Sequence, residues 1–204
     1  MRERKTPSKF IIATGIFLLG ACNDGPMAPR QGAPSQVAAT VVSTGTIGDT
    51  SVTVVSINAW EKQTFNIDAG NNKIVLPANS ICSLTSSYGP SEWNQPCTPE
   101  TGTVTMTVRS WSDAAGRPRI DVQPHMRFNP AAEPVMLRLR DRNGTSPDKA
   151  IGYCPDLGAC YDESLTDGSL ITFRDKNGNY IRRIKHFSGY NITTGYSELT
   201  EEAL

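Results

Sequence analysis

Histidine is scarce in this chain of 204 residues. It has two histidines, His125 and His186, and no Cys-x-x-Cys pair. A structural zinc site needs four such ligands at short spacing, so the sequence predicts no metal site and no cofactor. Nor does the chain contain a glycine-rich phosphate loop, a nucleophile elbow or a recognisable pair of sugar-cleaving carboxylates. The sequence therefore predicts a protein that is not an enzyme of these classes.

No long hydrophobic run is present either. The apolar segment 10–20 is about half the ~20 residues that a membrane-spanning helix needs. It follows a basic start and ends in Leu19-Gly20-Ala21-Cys22, which resembles the lipobox of bacterial lipoproteins. The resemblance implies a signal peptide over residues 1–21 and lipid on Cys22. The alternatives are an uncleaved anchor helix and a soluble exported protein with an unmodified cysteine.

The chain carries no excess of either charge, with 20 basic and 20 acidic residues. Removal of residues 1–21 takes away four basic residues and one acidic residue, which leaves 16 and 19 and a net charge of −3. A mildly acidic protein is poorly suited to bind nucleic acid. We therefore expect attachment to the membrane through the lipid on Cys22, on the periplasmic side of the bacterial envelope or on the cell surface. The sequence does not distinguish the inner from the outer membrane.

Four cysteines remain after the lipidated one. An even number in an exported chain predicts disulfides, and three pairings are open. Local pairing, Cys82 with Cys97 and Cys154 with Cys160, is favoured because each pair brackets a segment rich in turn residues.

Apolar and polar residues alternate along most of the chain, and no segment has a helical period. Residues 22–36 are rich in proline, glycine and alanine and predict a flexible tether, whereas residues 197–204 form an acidic tail. Between them, residues 37–196 predict a single all-β domain, an antiparallel β-sandwich. The alternation predicts buried faces formed by Val52 and Val54, by Val104, Met106 and Val108, and by Val135, Leu137 and Leu139. Asn177-Gly178 predicts a hairpin over residues 169–187.

Three motifs resemble the ZU5 family of β-sandwich domains. They are residues 74–81 (IVLPANSI, with Asn79-Ser80 in place of the usual Gly-Ala), residues 122–137, and the His-Phe-Ser element in residues 185–190 (KHFSGY). The likeness spans about residues 60–192, and the two cysteine-bracketed segments look like additions to it. The resemblance implies a β-sandwich that serves as a protein-interaction module, or one that cleaves itself between Phe and Ser.

Self-cleavage would use His186, Phe187 and Ser188. On a strand, His186 and Ser188 would point to one face, so the imidazole could take the proton of the hydroxyl as it attacks the Phe187 carbonyl. The reaction also needs a strained peptide bond and a donor to the oxyanion, and the sequence identifies neither. Gly189 departs from the bulky residue expected in cleaving members. The alternative is a purely structural use of His186 and Ser188.

The remaining candidates are surface features. Tyr88 and Trp93 lie in the first cysteine-bracketed segment, where they could bind a carbohydrate or fold back onto the sandwich. An acidic cluster near the second segment could bind a cation, although a solvated loop is the simpler interpretation (Asp156, Asp162, Glu163, Asp167). The main expectation is a lipid-anchored, non-catalytic subunit that binds or braces another envelope component, most plausibly a membrane protein. Single-turnover self-cleavage and a carbohydrate- or cation-binding module are the alternatives.

Overall fold

A computed structural model of the protein describes residues 37–47, 49–68, 72–142, 146 and 148–194. The predicted signal peptide, Cys22, the tether and the acidic tail lie outside these residues. Within them the secondary structure is twelve strands and three short 3₁₀ helices. The strands are β1 (Val37–Ala38), β2 (Thr40–Ile47), β3 (Thr50–Asn58), β4 (Gln63–Ile67), β5 (Asn72–Leu76), β6 (Thr103–Ser112), β7 (Pro118–Gln123), β8 (Val135–Arg140), β9 (Lys149–Cys154), β10 (Phe173–Arg174), β11 (Asn179–Ile184) and β12 (Gly189–Thr194). The 3₁₀ helices are Pro155–Leu157, Glu163–Leu165 and Gly168–Leu170.

The described strands form two six-stranded sheets. The first has the order β1-β4-β5-β8-β11-β10 and the second β2-β3-β6-β7-β12-β9. All pairs are antiparallel except β1 with β4. The predicted antiparallel β-sandwich is therefore confirmed.

The core consists of apolar side chains that alternate along the strands. On β6 and β8 the buried apolar residues are the predicted ones, Val104, Met106 and Val108 and then Val135, Leu137 and Leu139. On β3 the expected face was wrong, because Thr53, Val55 and Ile57 are buried while Val52 and Val54 are only half-buried. A strand's two faces differ by one residue of register, so a threonine among valines does not reveal which face is covered.

The predicted hairpin exists but is shorter than residues 169–187. Strand β10 pairs with β11 in the register Phe173↔Ile181, and Gly178 takes a positive φ of 78° in the turn. Strand β11 ends at Ile184. Residues 185–188 then cross from the first sheet to β12 in the second, so the His-Phe-Ser element lies in a crossover between the sheets.

Both disulfides have the predicted local pairing. Cys82 is bonded to Cys97, and Cys154 to Cys160. The second disulfide reverses the chain directly after β9, so that Tyr161 pairs with Tyr153 through two backbone hydrogen bonds of 2.9 Å. The following residues, including Glu163, are thereby carried to the crossover.

Candidate functional site

The crossover is held by backbone hydrogen bonds to β7 and to the segment that follows β7. Phe187 N–H donates to the Met126 carbonyl at 2.7 Å, and Phe128 N–H donates to the Lys185 carbonyl at 2.8 Å. Val122 N–H donates to the Ser188 carbonyl at 3.2 Å. The His186, Phe187 and Ser188 side chains are each at most 1% exposed. The crossover is thus an ordered part of the core.

Aromatic rings enclose the imidazole of His186. Trp93 stacks on it with ring centroids 3.7 Å apart, Tyr153 meets it edge-on at 4.7 Å, and Tyr190 lies at 5.8 Å. This burial lowers the pKa of His186, although the neighbouring Glu163 carboxylate opposes the shift. The imidazole is therefore neutral at neutral pH and able to accept a proton.

A buried ion pair lies on one side of the imidazole. His186 Nε2 is 3.2 Å from Glu163 Oε1, and Arg182 Nη2 donates to Glu163 Oε2 at 2.5 Å. Arg182 is fully buried; its Nη1 donates to the Ile151 carbonyl and lies 3.6 Å from Asp162. The guanidinium neutralises the carboxylate, and the carboxylate accepts the Nε2–H of the neutral imidazole.

Three hydroxyl groups lie on the other side of the ring, around Nδ1. The distances are 3.2 Å from Tyr88, 3.4 Å from Ser188 and 3.4 Å from Tyr190. Tyr190 donates its hydroxyl hydrogen to the His186 carbonyl at 2.9 Å, and Tyr88 donates to the Phe187 carbonyl at 3.0 Å. When both tyrosine hydrogens are directed at these carbonyls, Nδ1 is left as an acceptor for the hydroxyl of Ser188.

These groups place a hydroxyl, an imidazole and a carboxylate in a row beside one peptide bond. Ser188 Oγ stands where a nucleophile would, His186 where its base would and Glu163 where the group that holds the tautomer would, which is the placement found in a hydrolytic triad. Tyr88 supplies the hydrogen bond to the carbonyl of Phe187 that the sequence did not identify. Among the described residues, non-glycine positive φ occurs at Asp68, Asn79 and Asp156, so strain of this kind does not act at residues 187–188.

Gly189 is required by the close approach of β12 to β9. A Cβ atom at this position would lie 2.6 Å from the carbonyl oxygen of Cys154, a backbone atom that cannot move aside alone. The absence of a bulky residue therefore follows from the neighbouring strand.

The two aromatic candidates fold back onto the site. Trp93 is 8% exposed and covers His186, so little of it faces solvent. Tyr88 is 37% exposed and also stacks on His125, at 5.7 Å. His125 itself lies 2.7 Å from the Gln123 amide. The structure thus favours the folded-back arrangement of this segment over an open contact surface.

Most carboxylates of the acidic cluster form ion pairs with basic side chains of the same domain. Glu163 and Asp162 face Arg182, and Asp167 pairs with Lys185. Burial opposes ionisation of Asp167, yet hydrogen bonds from Lys185 and Ser169 lower its pKa to about 2. Among the described residues, no three His, Cys, Asp or Glu side chains group as metal ligands.

No helix in the same part of the chain is long and apolar enough to cross a membrane.

Sequence reasoning missed the parts Glu163 and Arg182 play in this site. One signal was present for Arg182. It lies two residues from both Tyr180 and Ile184, so it shares their buried face of β11. A charged residue in that position needs a buried partner. Glu163 gave no comparable signal, because it follows the second disulfide in an irregular, acidic segment.

Fold and site together define a two-sheet β-sandwich with a buried Ser-His-Glu arrangement at the crossover between the sheets. Comparison with models of known protein families gives no match for this chain, and comparison with curated proteins gives none.

We expect Arg182→Met to destabilise the protein by about 3–5 kcal/mol, since Glu163 would be left buried without its cation. Urea unfolding followed by tryptophan fluorescence, in a Ser188→Ala background that removes the hydroxyl nucleophile, measures this. Arg183→Met on the same strand is the matched control, because Arg183 is half-buried, and should change the stability by less than about 0.5 kcal/mol. Adding Glu163→Gln to Arg182→Met should recover part of the loss. A loss below about 1 kcal/mol for Arg182→Met would contradict the role of the pair.

The pH dependence of stability gives a separate test of the neutral, buried His186. Its folded-state pKa is lowered, so the unfolded chain binds the proton first as the pH falls below about 6.5. Stability due to this group is full above that pH and decreases below it, by up to about 1.4 kcal/mol at pH 5.5. Urea unfolding at pH 7.5 and 5.5 should show this extra loss relative to a His186→Gln variant in the same Ser188→Ala background. Equal losses in the two proteins would show that His186 titrates normally.

Proposed function

We propose that this protein is a lipid-anchored component of the bacterial envelope whose β-sandwich cleaves its own chain once, between Phe187 and Ser188. The observation that carries the proposal is the set of groups around this peptide bond. The hydroxyl of Ser188 faces the free lone pair of a neutral histidine, while Tyr88 donates a hydrogen bond to the carbonyl that would be attacked.

The reaction proceeds in two stages. Ser188 Oγ attacks the Phe187 carbonyl carbon as His186 Nδ1 takes the hydroxyl proton, and the carbonyl oxygen becomes an oxyanion. The C–N bond to Ser188 then breaks, its nitrogen takes the proton from the imidazolium, and an ester joins Phe187 to the Ser188 side chain. One water molecule hydrolyses the ester, which leaves a carboxylate on Phe187 and a free amine and hydroxyl on Ser188.

The cleaved segment would stay in place. Strand β12 lies between β7 and β9 and forms antiparallel ladders with both. Residues 188–204 contain no cysteine, so after cleavage only noncovalent contacts would hold them. The protein would remain folded as two chains, and denaturation would separate them.

The envelope location rests on two features. The residues before Cys22 resemble a lipoprotein signal, and the folded domain contains two disulfides. Structural disulfides persist in oxidising compartments. Both features therefore support a location in the envelope, outside the reducing cytoplasm.

The wild-type protein purified from bacterial membranes should lose residues 188–204 on denaturation, and Ser188→Ala and His186→Ala should keep them. Intact-mass spectrometry of the denatured protein measures the loss, and the same spectra report lipid on Cys22. The control is Ser110→Ala, which removes another buried serine hydroxyl far from the crossover in sequence and should leave cleavage unchanged. A full-length wild-type chain would refute self-cleavage.

A second function, binding to another envelope component, is favoured by the exposed edge strand β2. Its apolar side chains Val41, Val42 and Ile47 are 51%, 60% and 73% exposed. Among the described strands it has one neighbour, β3. An exposed strand edge with apolar side chains can accept a strand from another protein.

Gentle detergent extraction followed by size-exclusion chromatography should show the protein in a complex larger than the monomer. Val42→Glu should shift it to the monomer, because the change removes an exposed apolar side chain and adds a charge that opposes strand pairing. Ser43→Glu, the neighbouring exposed position, separates the loss of the apolar side chain from the effect of charge and should weaken the complex less. A monomeric wild type would exclude a stable complex.

A further inference from the structure

The segment between Cys82 and Cys97 reaches the reacting peptide bond through Tyr88. The Tyr88 hydroxyl donates to the Phe187 carbonyl oxygen at 3.0 Å although 99 positions separate the two residues. If Ser188 attacks, this oxygen is the atom that gains negative charge. A donor already directed at such an atom stabilises the transition state more than the ground state.

Tyr88 is suited to remain a donor. Burial raises the pKa of its hydroxyl, and nearby Glu163 adds to the shift, so the group stays protonated at neutral pH. Its ring packs edge-on against Trp93 with centroids 6.4 Å apart and stacks on His125. The hydroxyl is therefore held by ring contacts that a phenylalanine would keep.

The position of this segment depends on a few anchors, because residues 83–97 contain no strand or helix. The Cys82–Cys97 disulfide closes its base, where Ser83 N–H donates to the Thr98 carbonyl at 2.8 Å. Buried Arg127 holds its second half by donating from Nη1 to the Glu92 carbonyl at 2.9 Å and the Gln95 carbonyl at 2.6 Å. Arg127 also forms a backbone bridge with His186. These anchors fix the distance between Tyr88 and the crossover.

We infer that Tyr88 is the oxyanion donor of the self-cleavage reaction and that the Cys82–Cys97 disulfide presents it, so that cleavage depends on oxidation of this segment. The inference rests on the proposed function. Under reducing conditions the hydroxyl of Ser188 and the imidazole of His186 are still neighbours on the crossover, but the donor to the Phe187 carbonyl is no longer held in place. Cleavage would then follow export to an oxidising compartment.

The test uses residues 22–204, with Cys22 changed to Ser, recovered denatured and reduced from bacterial cytoplasm and refolded with or without a glutathione redox buffer. Reduced, denatured intact mass at timed intervals gives the cleaved fraction. The wild type should arrive uncleaved and cleave only in the oxidising buffer. Tyr88→Phe should cleave at least ~100-fold more slowly, as expected for loss of an oxyanion donor. Ser87→Ala is the matched control in the same segment and should cleave at the wild-type rate.

The disulfide is tested by two double variants refolded in the oxidising buffer. Cys82→Ser with Cys97→Ser should slow cleavage by more than tenfold when Tyr88 is present, and adding Tyr88→Phe should slow it little further. Cys154→Ser with Cys160→Ser measures separately the contribution of the second disulfide, which carries Glu163 to the crossover. Near-ultraviolet circular dichroism of each variant in a Ser188→Ala background checks that the sandwich has folded.

The outcomes separate the two proposals. A wild type that stays uncleaved in both buffers refutes self-cleavage and the role of Tyr88 with it. A wild type that cleaves while a folded Tyr88→Phe variant cleaves at the same rate overturns only the assignment of Tyr88. Cleavage of the folded Cys82/Cys97 variant at the wild-type rate, or of the wild type in the reducing buffer, overturns the dependence on oxidation.

Discussion

The buried ion pair between Arg182 and Glu163 is the constraint on which the site depends. Two buried charges are tolerated only when they pair with each other, because breaking such a pair leaves an uncompensated charge in the core. Arg182 is fixed by strand β11, so Glu163 has to be brought to it. The same carboxylate then holds Nε2 of His186, and the ion pair thereby sets which nitrogen of the imidazole is free.

Residues within the first disulfide-closed segment and beside the second one contact this histidine. The second one turns the chain after β9, between Tyr153 and Glu163, whereas Trp93 and Tyr88 lie within the first. Together they exclude water from the imidazole and surround the Phe187–Ser188 bond with polar groups. The first segment thus covers the site directly, and the second one sets the path of the chain that brings Glu163 to it.

The crossover between the sheets explains why such a site can exist in this fold. A residue inside a strand has its backbone groups engaged in the ladder, whereas residues 185–188 leave one sheet before joining the other. The Phe187 carbonyl is therefore free to accept a hydrogen bond from a side chain, that of Tyr88. Strand β12 begins immediately afterwards and is paired on both sides, so the site has a rigid base.

Local patterns in the sequence determined the sandwich, the strands β6 and β8 with their buried faces, and both disulfide pairings, because alternation and short cysteine spacing act over neighbouring residues. The triplet His186-Phe187-Ser188 was likewise recognisable. Tertiary structure alone decided which face of β3 is buried, and it brought Glu163, Arg182 and Tyr88 to the histidine. These contacts join residues between 19 and 99 positions apart, and they depend on the register of the strands and the path of two irregular segments. No local pattern records either of these.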